Sequence, residues 1–432
     1  MSGRAAAATY RLDGKVAADH WFDLPLDHRD PARGRTEVYV RELRQADTAE
    51  LDRPYLIFLQ GGPGGASPRP SGGPEWIDWA LERYRVLLLD QRGTGRSSRL
   101  DPGVIAALGS PQQQADHLAL FRADSIVQDC EAIRRALLGD EPWTVLGQSF
   151  GGFCAFTYLS FAPAGLRECL VTGGLPPLAT AIDDVYRSTY AAIRRRMDDL
   201  DRAYPLTRTR LREVADHLAT TDELLPSGEP LTVERLQEVG HVLGGQDGPL
   251  RLHYLAEDAW TGDRLSESFL HDVQEIVGGY RSGPLYALIH EACYCDTGQS
   301  SRWSAERVRA EFTWVDAPAG PLGLTGEAVY RHTVARCAGL EGLVEVADRL
   351  AERAWERPLY DRDALSRNEI PVAACVYAQD MYVTLEVSRA AAPLVPGVRV
   401  VVDEEHHHDG LRKHGTTVLD RLRAALDGPD TP

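Results

Sequence analysis

No stretch of the 432 residues approaches the roughly 18 apolar positions that a membrane-spanning helix requires, so no membrane-embedded segment is expected. The start, Met1-Ser2-Gly3-Arg4 followed by Ala5 to Ala8 and Thr9-Tyr10-Arg11, is too short and too polar to be a signal-peptide core. Positive charge is scarce. Lys and Arg number 47 against 64 Asp and Glu, a net charge of −17. That balance argues against nucleic acid or an anionic membrane surface as a partner, and it is compatible with a cationic substrate. The seven cysteines are odd in number, and several lie inside apolar runs, so reduced thiols in a cytoplasmic protein are the expectation. Cys293-Tyr294-Cys295 has one residue between its cysteines and no second pair nearby, which is not the spacing of a zinc site. Internal repeats are absent, and low complexity is confined to Ala5 to Ala8; only the last few residues read as disordered. Asp90-Gln91-Arg92-Gly93-Thr94-Gly95-Arg96-Ser97-Ser98 lacks the third glycine of a dinucleotide-binding loop, and Asp90 and Arg92 are expected to buttress the neighbouring loop instead.

What the sequence does have is 43% apolar and 26% charged residues, ordinary for a soluble globular protein. Its length suits two medium domains or one large core carrying an insertion. The most informative stretch is Trp143-Thr144-Val145-Leu146-Gly147-Gln148-Ser149-Phe150-Gly151-Gly152. A β-rich apolar run enters a Gly-x-Ser-x-Gly pentapeptide and leaves through residues that can continue as a helix. Strand, sharp turn and helix are the parts of a nucleophile elbow. Its two glycines remove side chains where strand and helix nearly collide, exposing the hydroxyl of Ser149, the candidate nucleophile.

Residues 10 to 50 carry alternating charged segments such as Thr36 to Leu43, expected to be antiparallel edge strands. Pro54 to Leu59 and Tyr84 to Leu89 are continuous apolar runs of strand length, with a helix-like Pro74 to Arg83 between them, and both are expected in a parallel sheet. The loop after the first, Gln60-Gly61-Gly62-Pro63-Gly64-Gly65, leaves backbone N–H groups bare, as an oxyanion hole requires. Ala123 to Leu138 reads as a helix, and Glu168 to Thr172 as a further strand. From about Pro177 to Pro358 the strand–helix rhythm stops and charged helical stretches such as Val185 to Leu200 and Ser304 to Phe312 take over. This segment is expected to be a helical cap, residues 177–358, inserted between core segments 1–176 and 359–432. The rhythm resumes with strands 371–377 and 398–402 and helices 383–392 and 416–426. The fold class is therefore α/β, a mostly parallel sheet with helices on both faces.

A serine nucleophile needs a base, and the base needs an orienting carboxylate. In this architecture the order is Ser, then Asp or Glu, then His in the loop after the last strand. Asp380 follows strand 371–377, and His406-His407-His408 follow the last strand; position alone does not choose among the three histidines. One metal ion shared by the triplet is not expected, because successive side chains on an extended chain diverge.

The motifs Gly61-Gly62-Pro63-Gly64, Asp90 to Gly95, Gly147 to Gly152, Pro284 to Glu291, Leu324 to Glu327, Pro358 to Asp361, Tyr377 to Val383 and His408 to Arg412 span nearly the whole chain. Together they resemble the longer-chain branch of the prolyl aminopeptidases (proline iminopeptidases), α/β-hydrolase serine peptidases. The resemblance implies an α/β-hydrolase fold with Ser149 as nucleophile, Asp380 as orienting carboxylate and His408 as base. It implies the N–H groups of Gly62 and Phe150 as oxyanion donors. Glu291 and Glu327 would grip the free N-terminal amine of a peptide or small-molecule substrate, with Phe150, Tyr286 and Tyr294 as candidates for an apolar ring pocket. Neither metal nor cofactor is implied. Gln60 departs from the histidine usual before Gly-Gly-Pro-Gly. The expected activity is removal of N-terminal proline. Rival expectations are an esterase or amidase on another small acyl substrate and a catalytically silent binding protein; Ser149 excludes a hydrolase that needs Asp at the elbow.

Overall fold

In the computed structural model, which describes residues 3–49, 51–70 and 75–428, the long apolar runs fall into one nine-stranded sheet. In chain order its strands are β1 (Gly3–Leu12), β2 (Lys15–Pro25), β3 (Arg35–Gln45), β4 (Tyr55–Leu59), β5 (Arg85–Asp90), β6 (Trp143–Gln148) and β7 (Leu166–Thr172). After two small hairpins, β8 (Glu223–Leu224) with β9 (Pro230–Leu231) and β10 (Trp260–Thr261) with β11 (Arg264–Leu265), come β12 (Val372–Tyr377) and β13 (Val398–Asp403). The sheet runs β1-β2-β3-β5-β4-β6-β7-β12-β13. Its first three strands are antiparallel, β3 joins β5 antiparallel, and from β5 to β13 every pair is parallel.

The strands are apolar on both faces because both are covered. Ile57, Leu59, Val145 and Val171 pack with the helices Ala123–Leu138 and Phe150–Phe161. The alternate residues Leu56, Phe58, Leu146 and Leu170 pack against Trp76, Ile77, Val418, Leu419 and Leu422, from helices Glu75–Leu81 and Gly415–Asp427. This is the two-residue period of a strand read on opposite faces. Each such buried side chain contributes about 1.5 to 3 kcal/mol against leaving it in water.

Between β7 and β12 the chain leaves the sheet and builds a second core. In the helix Ile182–Ala203, the buried Tyr186, Tyr190, Ile193, Met197 and Leu200 recur at spacings of three and four and pack with Leu236, Val239, Leu243 and Leu252. Two expectations are corrected. Segment 36–43 lies in β3, which is not an edge strand but sits between β2 and β5; Val38 and Val40 pack into the core on one face of the sheet and Leu43 into the core on the other. The stretch Ser304 to Phe312 is helical only over Ser304–Arg309. Pro74 and the chain end expected to be disordered lie outside the described residues.

Candidate active site

β6 delivers Ser149 at φ 56°, ψ −123°, a backbone region that non-glycine residues rarely occupy. Close approach forces this turn. A Cβ on Gly151 would stand 1.9 Å from the Leu59 carbonyl oxygen, and one on Gly147 2.4 Å from the Gly151 carbonyl oxygen. No larger residue fits at either position. The helix Phe150–Phe161 begins at once, so the Phe150 N–H is among the first-turn donors that have no intrahelical acceptor. The loop after β4 comes equally close: a Cβ on Gly61 would lie 3.0 Å from Ser149 Cβ.

That loop is tied down from β5. The Asp90 carboxylate accepts from the Ser67 N–H (3.0 Å), the Arg96 N–H (2.8 Å) and Arg69, and Gln91 Nε2 donates to the Gln60 carbonyl (3.0 Å). Gln60 thus anchors the loop through its main chain. Arg92, expected beside Asp90, instead turns to the buried Asp129 on the helix 123–138, at 2.6 Å.

Asp380 lies just past β12 and is 1% exposed. Its Oδ1 accepts from the backbone N–H groups of Tyr382 (2.8 Å) and Val383 (3.1 Å), which leaves Oδ2 for His408 Nδ1 at 2.7 Å. With Nδ1 engaged, Nε2 is the nitrogen free to exchange a proton with a hydroxyl. A Cβ on Gly173 would stand 3.0 Å from His408 Cε1 and 3.4 Å from the Ser149 backbone nitrogen, so one glycine separates imidazole and elbow. Burial pulls the His408 imidazole down, but the Asp380 carboxylate outweighs it and the pKa ends above its ordinary value. Its neighbours go elsewhere: His406 Nδ1 meets Asp403 at 2.8 Å, and His407 Nδ1 has no partner. Among the described residues Asp403, Glu405 and His406 form the one group with the spacing of metal ligands. Arg421 already pairs with both of its carboxylates, at 2.9 and 2.8 Å, and supplies the positive charge there.

Ser149, His408 and the glycine loop line a cavity of about 630 Å³ whose other wall comes from the helical block, with His241, Tyr280, Tyr286 and Glu327. Tyr286 donates to Glu327 Oε1 at 2.7 Å, and no described residue bonds Oε2. Burial lifts the Glu327 carboxyl to about 7, even though His408 and the Tyr286 hydroxyl both pull it down.

Glu291 is not brought there. Its two oxygens accept from the N–H groups of Ala305 (2.8 Å) and Ser304 (3.2 Å), and it is not among the residues that line the cavity. The reason is local: Ser304–Arg309 follows Trp303 in left-handed backbone, φ 55°, and no side chain at that N-cap serves the helix's free N–H groups. Buried helix starts need such acceptors. Of the two glutamates expected to grip an amine, Glu327 lines this cavity and Glu291 does not. Of the three aromatic candidates, Tyr286 lines the cavity, whereas Phe150 and Tyr294 pack with Phe153 in the sheet core.

Two further residues were not singled out from sequence. The Tyr382 ring meets His408 edge-on at 4.7 Å, stacks on His241 at 4.9 Å and donates its hydroxyl to the His241 carbonyl at 2.5 Å. The backbone N–H of His408 donates to the Gly244 carbonyl at 3.3 Å, and a Cβ on Gly244 would strike the Tyr382 ring at 2.1 Å. The loop bearing the imidazole is therefore seated on segment 241–244 of the helical block. His241 is pushed down to about 4 by burial and by the neighbouring His408, so it stays neutral beside that imidazole. Tyr382 carried a signal, two residues beyond Asp380; a lone histidine in a helical stretch carries none.

Residues 54–411 match the family of the α/β hydrolase fold, and the strand order and serine elbow described above place the protein in that class. The chain is 44% identical over 421 residues to a proline iminopeptidase of Aeromonas sobria, covering 96% of this chain and 97% of that one. It is 32% identical over 426 residues to a proline iminopeptidase of Aspergillus aculeatus, covering 95% and 94%. It belongs to the proline iminopeptidase family. A solved proline iminopeptidase of Mycobacterium smegmatis is 17% identical and superposes with a TM-score of 0.43, covering 94% of this chain and 97% of that one.

Proposed function

We propose that the protein is a serine exopeptidase that releases N-terminal proline from peptides, with residues 177–358 acting as a cap over core segments 1–176 and 359–432. The observation that carries this reading is the shared cavity: the serine elbow, His408 with Asp380 behind it, and the half-buried Glu327 carboxylate meet at one space. The relatives named above are its support from sequence.

Glu327 holds the protonated secondary amine of the first residue, an interaction that compensates the loss of water around a buried charge. Ser149 Oγ attacks the first peptide carbonyl while His408 Nε2 takes its proton. The N–H groups of Gly62 and Phe150 stabilise the oxyanion. His408 then gives that proton to the leaving amine, the C–N bond breaks, and the prolyl group remains as an ester on Ser149. Water, deprotonated by His408, attacks the ester; the bond from the acyl carbon to Ser149 Oγ breaks, His408 returns the proton to Oγ, and proline is released. These steps use side chains and backbone of the chain alone. We further take the protein to be cytoplasmic, supported by seven buried cysteines, none in a disulfide. No helix among the described residues is long and apolar enough to cross a membrane.

The test is the initial rate on a panel of aminoacyl arylamides, with prolyl arylamide beside its N-acetylated form. Fast cleavage of the free prolyl compound and none of the acetylated one is expected. Cleavage indifferent to acetylation, or confined to simple esters, would move the protein to the esterase reading.

A further inference from the structure

The cavity wall carries a charge that the chemistry above leaves unused. Among the residues lining the cavity, Arg412 is the one Arg or Lys, and its guanidinium makes no hydrogen bond or ion pair with any described residue. Its acidic neighbour does not claim it. Asp409 Oδ1 accepts from the Gln246 N–H at 3.1 Å, and Asp409 Oδ2 lies 3.7 Å from Lys413, which also pairs with Asp247. Arg412 stands exposed at the mouth, beside Leu411, on the short helix Gly410–Lys413.

Its place along the chain gives the free cation a direction. His408 must hand its proton to the departing amine, so the leaving peptide begins at that imidazole. Arg412 follows four residues later on the same segment. A leaving group of one or two residues puts its carboxylate about 3.5 to 7 Å beyond its amine. A guanidinium is suited to that group, since its planar fork donates two parallel hydrogen bonds to a carboxylate. The setting adds a reason: a protein of net charge −17 repels an anionic peptide end, and a local cation at the mouth offsets this where the leaving chain passes.

We propose that Arg412 receives the C-terminal carboxylate of the leaving peptide, so that di- and tripeptides beginning with proline are the preferred substrate class. This rests on the prolyl reading above. The experiment compares kcat/KM for Pro-Gly, Pro-Gly-Gly and Pro-Gly-Gly-Gly-Gly, each as the free acid and as the C-terminal amide, in the wild type, Arg412→Gln and Arg412→Lys. The acid-to-amide ratio is read within each enzyme, so a general loss of activity cancels. Expected is a wild-type ratio of about tenfold or more for the di- or tripeptide, falling towards one for the pentapeptide. The ratio should collapse in Arg412→Gln and be partly kept in Arg412→Lys. Equal rates on acid and amide at every length in the wild type, or a preference that survives Arg412→Gln, would overturn the proposal. Wild-type cleavage of prolyl arylamide, which has no carboxylate, reports separately on the prolyl reading.

Discussion

The sheet and the helical block both reach the cavity, but they place their groups by different physics. In the sheet, backbone does the placing. Gly147 and Gly151 let strand and helix touch, and that contact holds Ser149 at φ 56°. Parallel pairing of β7, β12 and β13 then brings the Asp380 and His408 loops to the same end of the sheet. In the helical block, side chains are placed by packing, and a short motif says little about where a residue points. Glu291 and Glu327 show this within one region. Both are acidic and both sit in motifs shared with the resembled family, yet Glu327 lines the cavity together with Ser149 and Glu291 serves a helix start. Burial raises both carboxyls; at Glu291 the backbone donors at Ser304 and Ala305 oppose the rise, while Glu327 reaches about 7.

The comparison is tested first on its sheet side. Ser149→Ala is expected to lower kcat on prolyl arylamide by about 10⁴-fold or more, with the melting temperature nearly unchanged. Turnover within tenfold of wild type would remove the serine mechanism. Asp380→Asn leaves the shape intact but reverses a donor–acceptor relation at His408 Nδ1, and about a 10³- to 10⁴-fold fall in kcat should follow.

On the helical side, Glu327→Gln should cost about 10²-fold in kcat/KM, mostly through KM, because a buried ammonium would lose its counter-charge. The pH dependence sharpens this. Glu327 must be ionised to hold an ammonium, so activity falls as pH drops through about 7. His408, raised overall, must be unprotonated to act as base, so its contribution falls in the same direction. The wild-type acid limb of kcat/KM should therefore involve two groups, and that of Glu327→Gln only one. An identical limb in both enzymes would detach Glu327 from amine binding.

Smaller effects come from the contacts that join the two regions. Tyr382→Ala removes the ring between His408 and His241 and should lower kcat by about tenfold; Tyr382→Phe, which keeps the ring contact, should stay within about threefold. A loss as large in the phenylalanine variant would mean that the hydroxyl, not the ring, matters. Smallest in rate is Glu291→Gln. It should change kcat/KM by less than about threefold while lowering the melting temperature by a few degrees, since the amide cannot accept both N–H groups. A large KM effect with an unchanged melting temperature would return Glu291 to the amine site.

The sequence by itself determined the parts whose meaning is local. Buried parallel strands read as unbroken apolar runs because both faces are covered, so β4, β5, β6 and β12 were legible. The elbow was legible because its glycines answer a steric demand made by their immediate neighbours. The break in rhythm after β7 was also visible, since a long segment without apolar strands has no place in such a sheet. The tertiary structure decided what depends on residues far apart along the chain. Position along the chain did not separate three adjacent histidines; their partners do, Asp403 for His406 and Asp380, 28 residues away, for His408, the one that the resemblance had implied. The Tyr382–His241 contact joins residues 141 positions apart, and no local pattern encodes it. The unequal fates of Glu291 and Glu327 followed from which buried N–H groups lacked an acceptor, a need set by the packing of the helical block as a whole.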